Sequence, residues 1–268
     1  MNEIDRIAGN LQASERMPLL FVGHGSPMNA IEDNVFSRKW AELGKQLSRP
    51  QAILCISAHW LTSGTFVTAM EKPRTIHDFG GFPPELFRQQ YPAPGSPELA
   101  EAVTRIQHEN QISKDFDWGL DHGTWSVLKP MFPLADIPVI QLSIDYSKPM
   151  EYHYNLAKQI SQLREKGVLV IGSGNIVHNL RQLRYDEKVP DWSLQFDARI
   201  ASWIESGDDD SIVGFQELGS LAQMAHPSYD HFLPLLYVLG MKAKTDHPEF
   251  FNSEFQMGSI SMRSVIWK

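Results

Sequence analysis

The chain has 268 residues, 42% of them hydrophobic and 21% charged, with a formal net charge of −8. That length supports one large core or two small ones, and the acidic balance excludes a nucleic-acid binder that relies on a basic stripe. No apolar run reaches the roughly 20 residues of a membrane-spanning helix, and a single cysteine, Cys55, rules out a disulfide framework within the chain, which suits a cytoplasmic location.

Met1 to Arg16 is polar, of mixed charge and without a signal-peptide core, and it reads as a lead-in to one domain spanning 17–268. After Pro18, Leu19-Leu20-Phe21-Val22 predicts a short buried strand that stops at Gly23-His24-Gly25-Ser26-Pro27. Glycines on both sides of His24 let the backbone turn sharply and leave the imidazole at the strand's carboxyl end. In open α/β sheets that edge binds ligands. Ile31 to Ser48 has helical apolar spacing at Val35, Phe36, Trp40, Leu43 and Leu47, with Asp33 or Asn34 as cap and Pro50 as terminator. Gln51 to Ser57 predicts a second buried strand running into Ser57-Ala58-His59-Trp60, with Cys55 as a small core residue. Gly64 to Met70 predicts a third strand.

Glu71 to Gly95, rich in Pro and Gly, is expected to form a long ordered loop in which His77-Asp78 stabilises a turn, a place on a pocket rim being the alternative. Ser96-Pro97-Glu98 opens a helix to about Gln111, with His108 on its solvated face. Lys114 to Pro130 mixes Trp118, Asp121, His122 and Trp125 with glycines, a composition that suggests an aromatic-walled pocket loop. Ile137 to Ile144 is another strand, and Pro149 to Lys166 a helix whose Tyr152 and His153 are surface or packing residues. Gly167 to Ile171 is a buried strand leading into Gly172-Ser173-Gly174-Asn175-Ile176-Val177-His178. Asp191 to Ser206 is helical, and Gly207 to Asp210 is a solvated turn. Residues 226–239 open an apolar helix near His226 and His231, and Ser259 to Trp267 forms a closing strand. With no repeat, low-complexity tract or linker, the pattern predicts a single α/β domain: a central mixed, largely parallel sheet flanked by helices.

His24, His59 and His178 each follow an independent hydrophobic strand, and His231 lies near the start of an apolar helix. If those strands are parallel neighbours, three imidazoles meet at the carboxyl edge of one sheet and the helix docks a fourth over it. That recurrence, in a chain with ten histidines, favours a metal or catalytic site over isolated structural histidines. No H-E-x-x-H, G-x-S-x-G, P-loop or dinucleotide fingerprint is complete, which argues against the usual hydride- and phosphoryl-transfer enzymes.

Five motifs carry a family resemblance: Gly-His-Gly-Ser-Pro at 23–27, Ser-Ala-His-Trp at 57–60, Leu-Asp-His-Gly-Thr-Trp at 120–125, Gly-Ser-Gly-Asn-Ile-Val-His-Asn at 172–179 and His-Pro-Ser-Tyr-Asp-His-Phe at 226–232. In this order, and over nearly the whole chain from Pro18, they resemble the class III extradiol ring-cleaving dioxygenases of LigB-like fold, and among them the DOPA 4,5-dioxygenase group. The resemblance implies a non-haem Fe(II) site at the carboxyl ends of the strands, with His24, His59 and His231 as ligands. It implies His178 as catalytic acid/base and His122 as a second catalytic histidine; Trp125, Trp118 or Tyr229 is expected to flank the aromatic ring, and Trp125, Tyr229 and His226 are taken as the substrate-binding residues. The wider class carries a glutamate where His231 falls, and Asp230 is adjacent; His231 is favoured because DOPA-type relatives carry His before the Phe.

The implied reaction is O₂-dependent cleavage of a catechol, L-DOPA at its 4,5-bond, with the catechol and O₂ as partners. Three neutral imidazoles leave the full +2 charge on the ion and lower the pKa of a bound catechol hydroxyl. The same donors suit Zn(II), which is expected to occupy the site in isolated protein. Two alternatives stay open: a zinc hydrolase with His178 as base, and a non-catalytic metal- or ligand-binding relative. The presence of both His122 and His178 counts against the second.

Overall fold

The computed structural model describes residues 14–105, 112–186 and 188–268. The start of the lead-in, the helix extension to Gln111 and His108 lie outside the described residues. In chain order the strands are β1 (Leu19–Gly23), β2 (Ala52–Thr62), β3 (Thr65–Thr68), β4 (Arg74–Thr75), β5 (Ile112–Asp115), β6 (Gly119–Leu120), β7 (Val139–Asp145), β8 (Val168–Gly174), β9 (Pro248–Phe251), β10 (Phe255–Gln256), β11 (Ile260–Ser261) and β12 (Ser264–Trp267). Eight of them form one sheet, ordered β5-β3-β7-β2-β8-β1-β12-β9.

The four central strands β7, β2, β8 and β1 are parallel, while β12 and β9 continue the sheet antiparallel beyond β1. Both faces of this centre are covered, which is why its strands are apolar runs rather than alternating ones. Leu19 and Phe21 of β1 face one core, packed with the helices Met150–Ile160, Asp191–Ser206 and Leu233–Gly240. Leu20 and Val22 face the other, with the helices Val35–Gln46 and His122–Met131. All four β1 side chains have zero exposure, so each contributes about 1.5–3 kcal/mol of burial and the strand is a rigid mount for His24. Asn34 caps the Val35–Gln46 helix through Phe36 N and Ser37 N, both at 3.0 Å.

Register sets the site. Gly23 pairs with Gly174 and Ser57 with Ser173, so the point where β2 parts from β8 is level with the carboxyl ends of β1 and β8. The strand-then-histidine segments at 24, 59 and 178 therefore arise from three adjacent parallel strands.

Several local expectations differ from the structure. Strand β2 does not stop at Ser57 but runs on to Thr62, with His59 inside it. A register shift against β7 between Ile56 and Leu61 leaves this stretch irregular, which re-aims its side chains. Lys114 to Pro130 is mostly regular structure rather than a loop: it supplies the end of β5, then β6, then the His122–Met131 helix, with 119–128 buried and only His122 of the stretch lining the cavity described below. Asp121 caps that helix through Thr124 N at 3.1 Å. Trp118 stacks on buried Trp60 with ring centroids 5.6 Å apart. Between Glu71 and Gly95 lie β4, which pairs with β6, and a single helical turn at Pro84–Phe87. The C-terminal apolar helix begins only at Leu233, with Pro234 in its first turn, so His231 sits in the preceding turn. Residues 259–267 form two strands, β11 and β12, rather than one. Asp208 caps a short helix, Asp209–Val213, instead of lying in a bare turn.

Candidate metal centre

The strand ends converge on a cavity of about 540 Å³ with His24, His59, His122, His178 and His231 on its wall. His24 follows β1, where Gly25 takes φ +57°, the left-handed region in which glycine is at ease. A Cβ there would also lie 2.2 Å from Gln256 Oε1. The His24 main chain is fixed by Gly174 O and by the Asn29 side chain, each at 3.0 Å.

The side-chain hydrogen bonds turn the nitrogens inward. Ser173 Oγ donates to Gly123 O at 2.5 Å, so it can only accept from His24 Nδ1, 3.0 Å away, which leaves His24 Nε2 bare. Asp230 Oδ2 lies 2.6 Å from His231 Nδ1 and does the same for that ring. The Asp78 carboxylate stands 2.9 Å from His122 Nδ1 and 3.6 Å from His59 Nδ1, and accepts from His122 N at 2.9 Å. Carboxylates and hydroxyls behind imidazoles in this way orient and tune metal ligands.

Two further distances test whether the residues fit an ion. His24 Nε2 and His59 Nε2 are 3.0 Å apart. His24 Nε2, bare because its Nδ1 faces Ser173, can accept from His59 Nε2, and 3.0 Å is also about the spacing of two nitrogens held side by side on one ion at about 2.1 Å. Ring centroids of His24, His59 and His231 stand 5.0, 5.2 and 5.0 Å apart. Imidazoles radiating from one ion at the usual metal–nitrogen length of about 2.1 Å would be spaced at about 5 Å. The residues fit a divalent cation.

A second trio overlaps this one. The ligand atoms of His24, His59 and His122 all lie within 4.8 Å of one another. The His122 ring, however, packs 3.8 Å from that of His59, at van der Waals range. His178 stacks on His231 with centroids 3.4 Å apart and planes within 5°.

His24, His59, His178 and His231 are biased toward the neutral form that metal ligation requires. Burial, then the neighbouring imidazoles, drive His24 and His231 well below the usual histidine range. Burial, then His122, lowers His59 to about 3, and burial, then His226, lowers His178 to about 4. Burial alone would raise Asp78, but the hydrogen bond and charge of His122 outweigh it and hold the carboxyl below its ordinary value.

Three residues expected around the substrate lie elsewhere. Trp125 has zero exposure and donates from Nε1 to Ile76 O at 2.8 Å, so its polar edge is satisfied inside the core. His226 is buried against Ile176 O at 2.7 Å, edge-on to Phe196, Phe215 and Phe232. Tyr229 packs edge-on to Phe215. The cavity takes its aromatic wall instead from Phe79 and Phe82 of the 71–95 loop, with Leu180, Leu183, Tyr185 and Met257 opposite. Of the stretch after Gly25, Ser26 and Pro27 line the cavity, while Asn29 is spent on holding His24.

Sequence reasoning also missed the support behind the site. Asp121 is fully buried, accepting from Ser57 Oγ and Gln141 Nε2, both at 2.7 Å. In the His77-Asp78 pair, His77 does brace the loop through Gln89 O at 2.9 Å, but Asp78 belongs to the site. The Gly- and Pro-rich composition around it was the available signal.

Among the described residues no helix is long and apolar enough to cross a membrane. The family model for the catalytic LigB subunit of aromatic ring-opening dioxygenase matches residues 18–265. An Escherichia coli (strain K12) protein named 4,5-DOPA dioxygenase extradiol is 45% identical over 263 residues, covering 95% of this chain and 96% of the relative. A Beta vulgaris protein of the same name is 34% identical over 251 residues, covering 91% and 94%. The crystal structure of an uncharacterized protein from Escherichia coli K12 aligns with a TM-score of 0.82 and 40% identity over 94% of this chain and 99% of that one. Fold, five inward-facing histidines and full-length similarity agree: the chain belongs to the LigB family of aromatic ring-opening dioxygenases.

Proposed function

We propose that this protein cleaves the ring of a catechol outside the diol with O₂, accepting L-DOPA at its 4,5-bond, and that His24, His59 and His231 hold an Fe(II) ion for the purpose. The observation that carries this reading is the tripod of neutral imidazoles spaced 5.0–5.2 Å apart on the floor of one cavity. His231 is preferred to His122 as third ligand because its ring stands clear of the other two, whereas that of His122 touches His59. When bound, the ion supplies the charge that acidifies a catechol hydroxyl and, as iron, the redox couple that O₂ chemistry needs. Zinc fits the same donors but has no redox chemistry.

The remaining work falls to side chains. His122, held by Asp78 through its backbone N and with Nδ1 2.9 Å from the same carboxylate, offers Nε2 to a substrate oxygen. His178 is kept neutral, so it can accept a proton from the substrate and return it as the ring opens. Stacking on His231 fixes its plane without any hydrogen bond to the ring. Phe79 and Phe82, edge-on to each other at 5.3 Å, wall the side where an aromatic substrate lies and exclude water from it. Both oxygen atoms of O₂ end in the product, a ring-opened semialdehyde.

The test is anaerobic Fe(II) loading followed by addition of L-DOPA and O₂. Stoichiometric oxygen uptake with a yellow product is expected. Absence of uptake with every catechol tried would overturn the proposal, and ester or amide hydrolysis by the zinc-loaded protein would establish the hydrolase alternative.

A further inference from the structure

The cavity has a polar floor and an apolar mouth. His24 and His231, at 1% and 5% exposure, mark the floor; Leu180 and Tyr185, at 59% and 84%, mark the mouth. Phe79, Phe82, Leu183 and Met257 fill the wall between them. A catechol whose diol meets the histidines must therefore send its ring substituent outward past these side chains.

No lysine or arginine is among the described residues that line this cavity, and its one carboxylate, Asp78, is engaged by His122. Two arginines flank the mouth in sequence without bordering the cavity. Arg184 is held by Asp186 through Nε at 2.9 Å and Nη2 at 2.6 Å, and Arg181 lies beside Leu180 on an exposed turn. A carboxylate on the substituent would meet no cation on this wall, and any water that the apolar side chains displace from it is lost without compensation, whereas an alkyl or aryl group would gain roughly fourfold in affinity per buried methylene.

We infer that the mouth selects catechols with an uncharged, apolar ring substituent over those that carry a carboxylate, the amino-acid side chain of L-DOPA included, and that Leu180 and Leu183 are specificity-determining residues. This rests on the catechol-cleaving reading above. L-DOPA remains a substrate under it, but a weak one.

A matched pair of probes isolates the charge: 4-propylcatechol and 3,4-dihydroxyphenylpropionate have chains of the same length that differ at the terminal group. With Fe(II)-loaded protein, kcat/KM for the propyl compound should exceed that for the acid by about tenfold or more, chiefly through KM. Anaerobic calorimetry on zinc-loaded protein, which needs no turnover, should rank the two Kd values the same way. Leu180→Arg, at a site exposed enough to spare the fold, should improve the acid and weaken the propyl compound, closing the gap; Arg181→Ala and Arg184→Ala should leave the ranking intact. Equal or tighter binding of the acid to the unaltered protein would overturn the inference, as would loss of acid binding in Arg181→Ala. Failure of oxygen uptake with both probes would instead sink the ring-cleavage reading, and calorimetry would still decide the preference of the mouth.

Discussion

Replacing Gly123 by Ala sets two effects of opposite sign against each other. Gly123 is the second residue of the His122–Met131 helix, where Ala ordinarily stabilises by about 0.8–1 kcal/mol. At this position a Cβ would lie 2.4 Å from Ser57 Oγ and 2.9 Å from His59 Cδ2. Neither neighbour can yield cheaply. Ser57 Oγ donates to the fully buried carboxylate of Asp121, and shifting it leaves that group short of a donor at a cost of about 1–3 kcal/mol. Overpacking adds about 1–3 kcal/mol. The losses outweigh the helix gain, so Gly123→Ala should destabilise the metal-free protein by about 1–5 kcal/mol. Displacing His59 should also weaken zinc binding by about 10–100-fold, the usual cost of disturbing the support of a ligand. Urea unfolding and zinc titration against a chromogenic chelator read the two effects separately. Ser57→Ala removes the first obstacle, so the double variant should lose less than the sum of the singles. A Gly123→Ala protein that is as stable as the parent and binds zinc equally well would refute the reasoning.

Other expectations follow from the same geometry. His178→Ala should keep its zinc while losing turnover by about 10²–10⁴-fold; loss of the ion would make His178 a ligand instead. Asp230→Ala removes the 2.6 Å partner of His231 Nδ1 and should cut zinc affinity by about 10–100-fold, with His231→Ala more severe. If His122→Ala rather than His231→Ala releases the ion, the tighter trio is the ligand set. Acid should destabilise the metal-free fold early. Burial lowers His153 and His226 to about 4, while in the unfolded chain they titrate near about 6.5. The unfolded chain thus takes up protons first, and stability, complete above about pH 6.5, is lost progressively as pH falls toward 4. Urea midpoints measured from pH 7 to 4.5 should drop steadily, and a constant midpoint would contradict these burial shifts.

The sequence of this protein was informative wherever a signal is local. Apolar runs marked β1, β2, β7 and β8, because strands buried on both faces need continuous hydrophobicity and few residues. Asp33 and Asn34 marked a helix start, of which Asn34 is the cap, and Cys55 a core position. Strand-then-histidine recurrence at 24, 59 and 178 announced a shared edge before any topology was known, since a carboxyl-terminal edge is where parallel strands present their loops.

What the sequence could not decide depends on partners distant along the chain. Asp78 and His122 are 44 residues apart, and the Gly- and Pro-rich stretch around Asp78 marks a functional loop without saying which of its side chains reaches the site. Trp125 carries the composition of a pocket wall, yet the 71–95 loop covers it and Ile76 O satisfies its indole. His226 and His231 stand five residues apart in one motif, but the first turns into the core against Ile176 O and the second into the cavity beside Asp230. Residue types and their order along the chain were enough to indicate an α/β sheet with imidazoles at its edge. Which nitrogen faces inward, which carboxylate stands behind it and which side chains line the cavity were decided only by tertiary structure, because each depends on a surface brought from elsewhere in the fold.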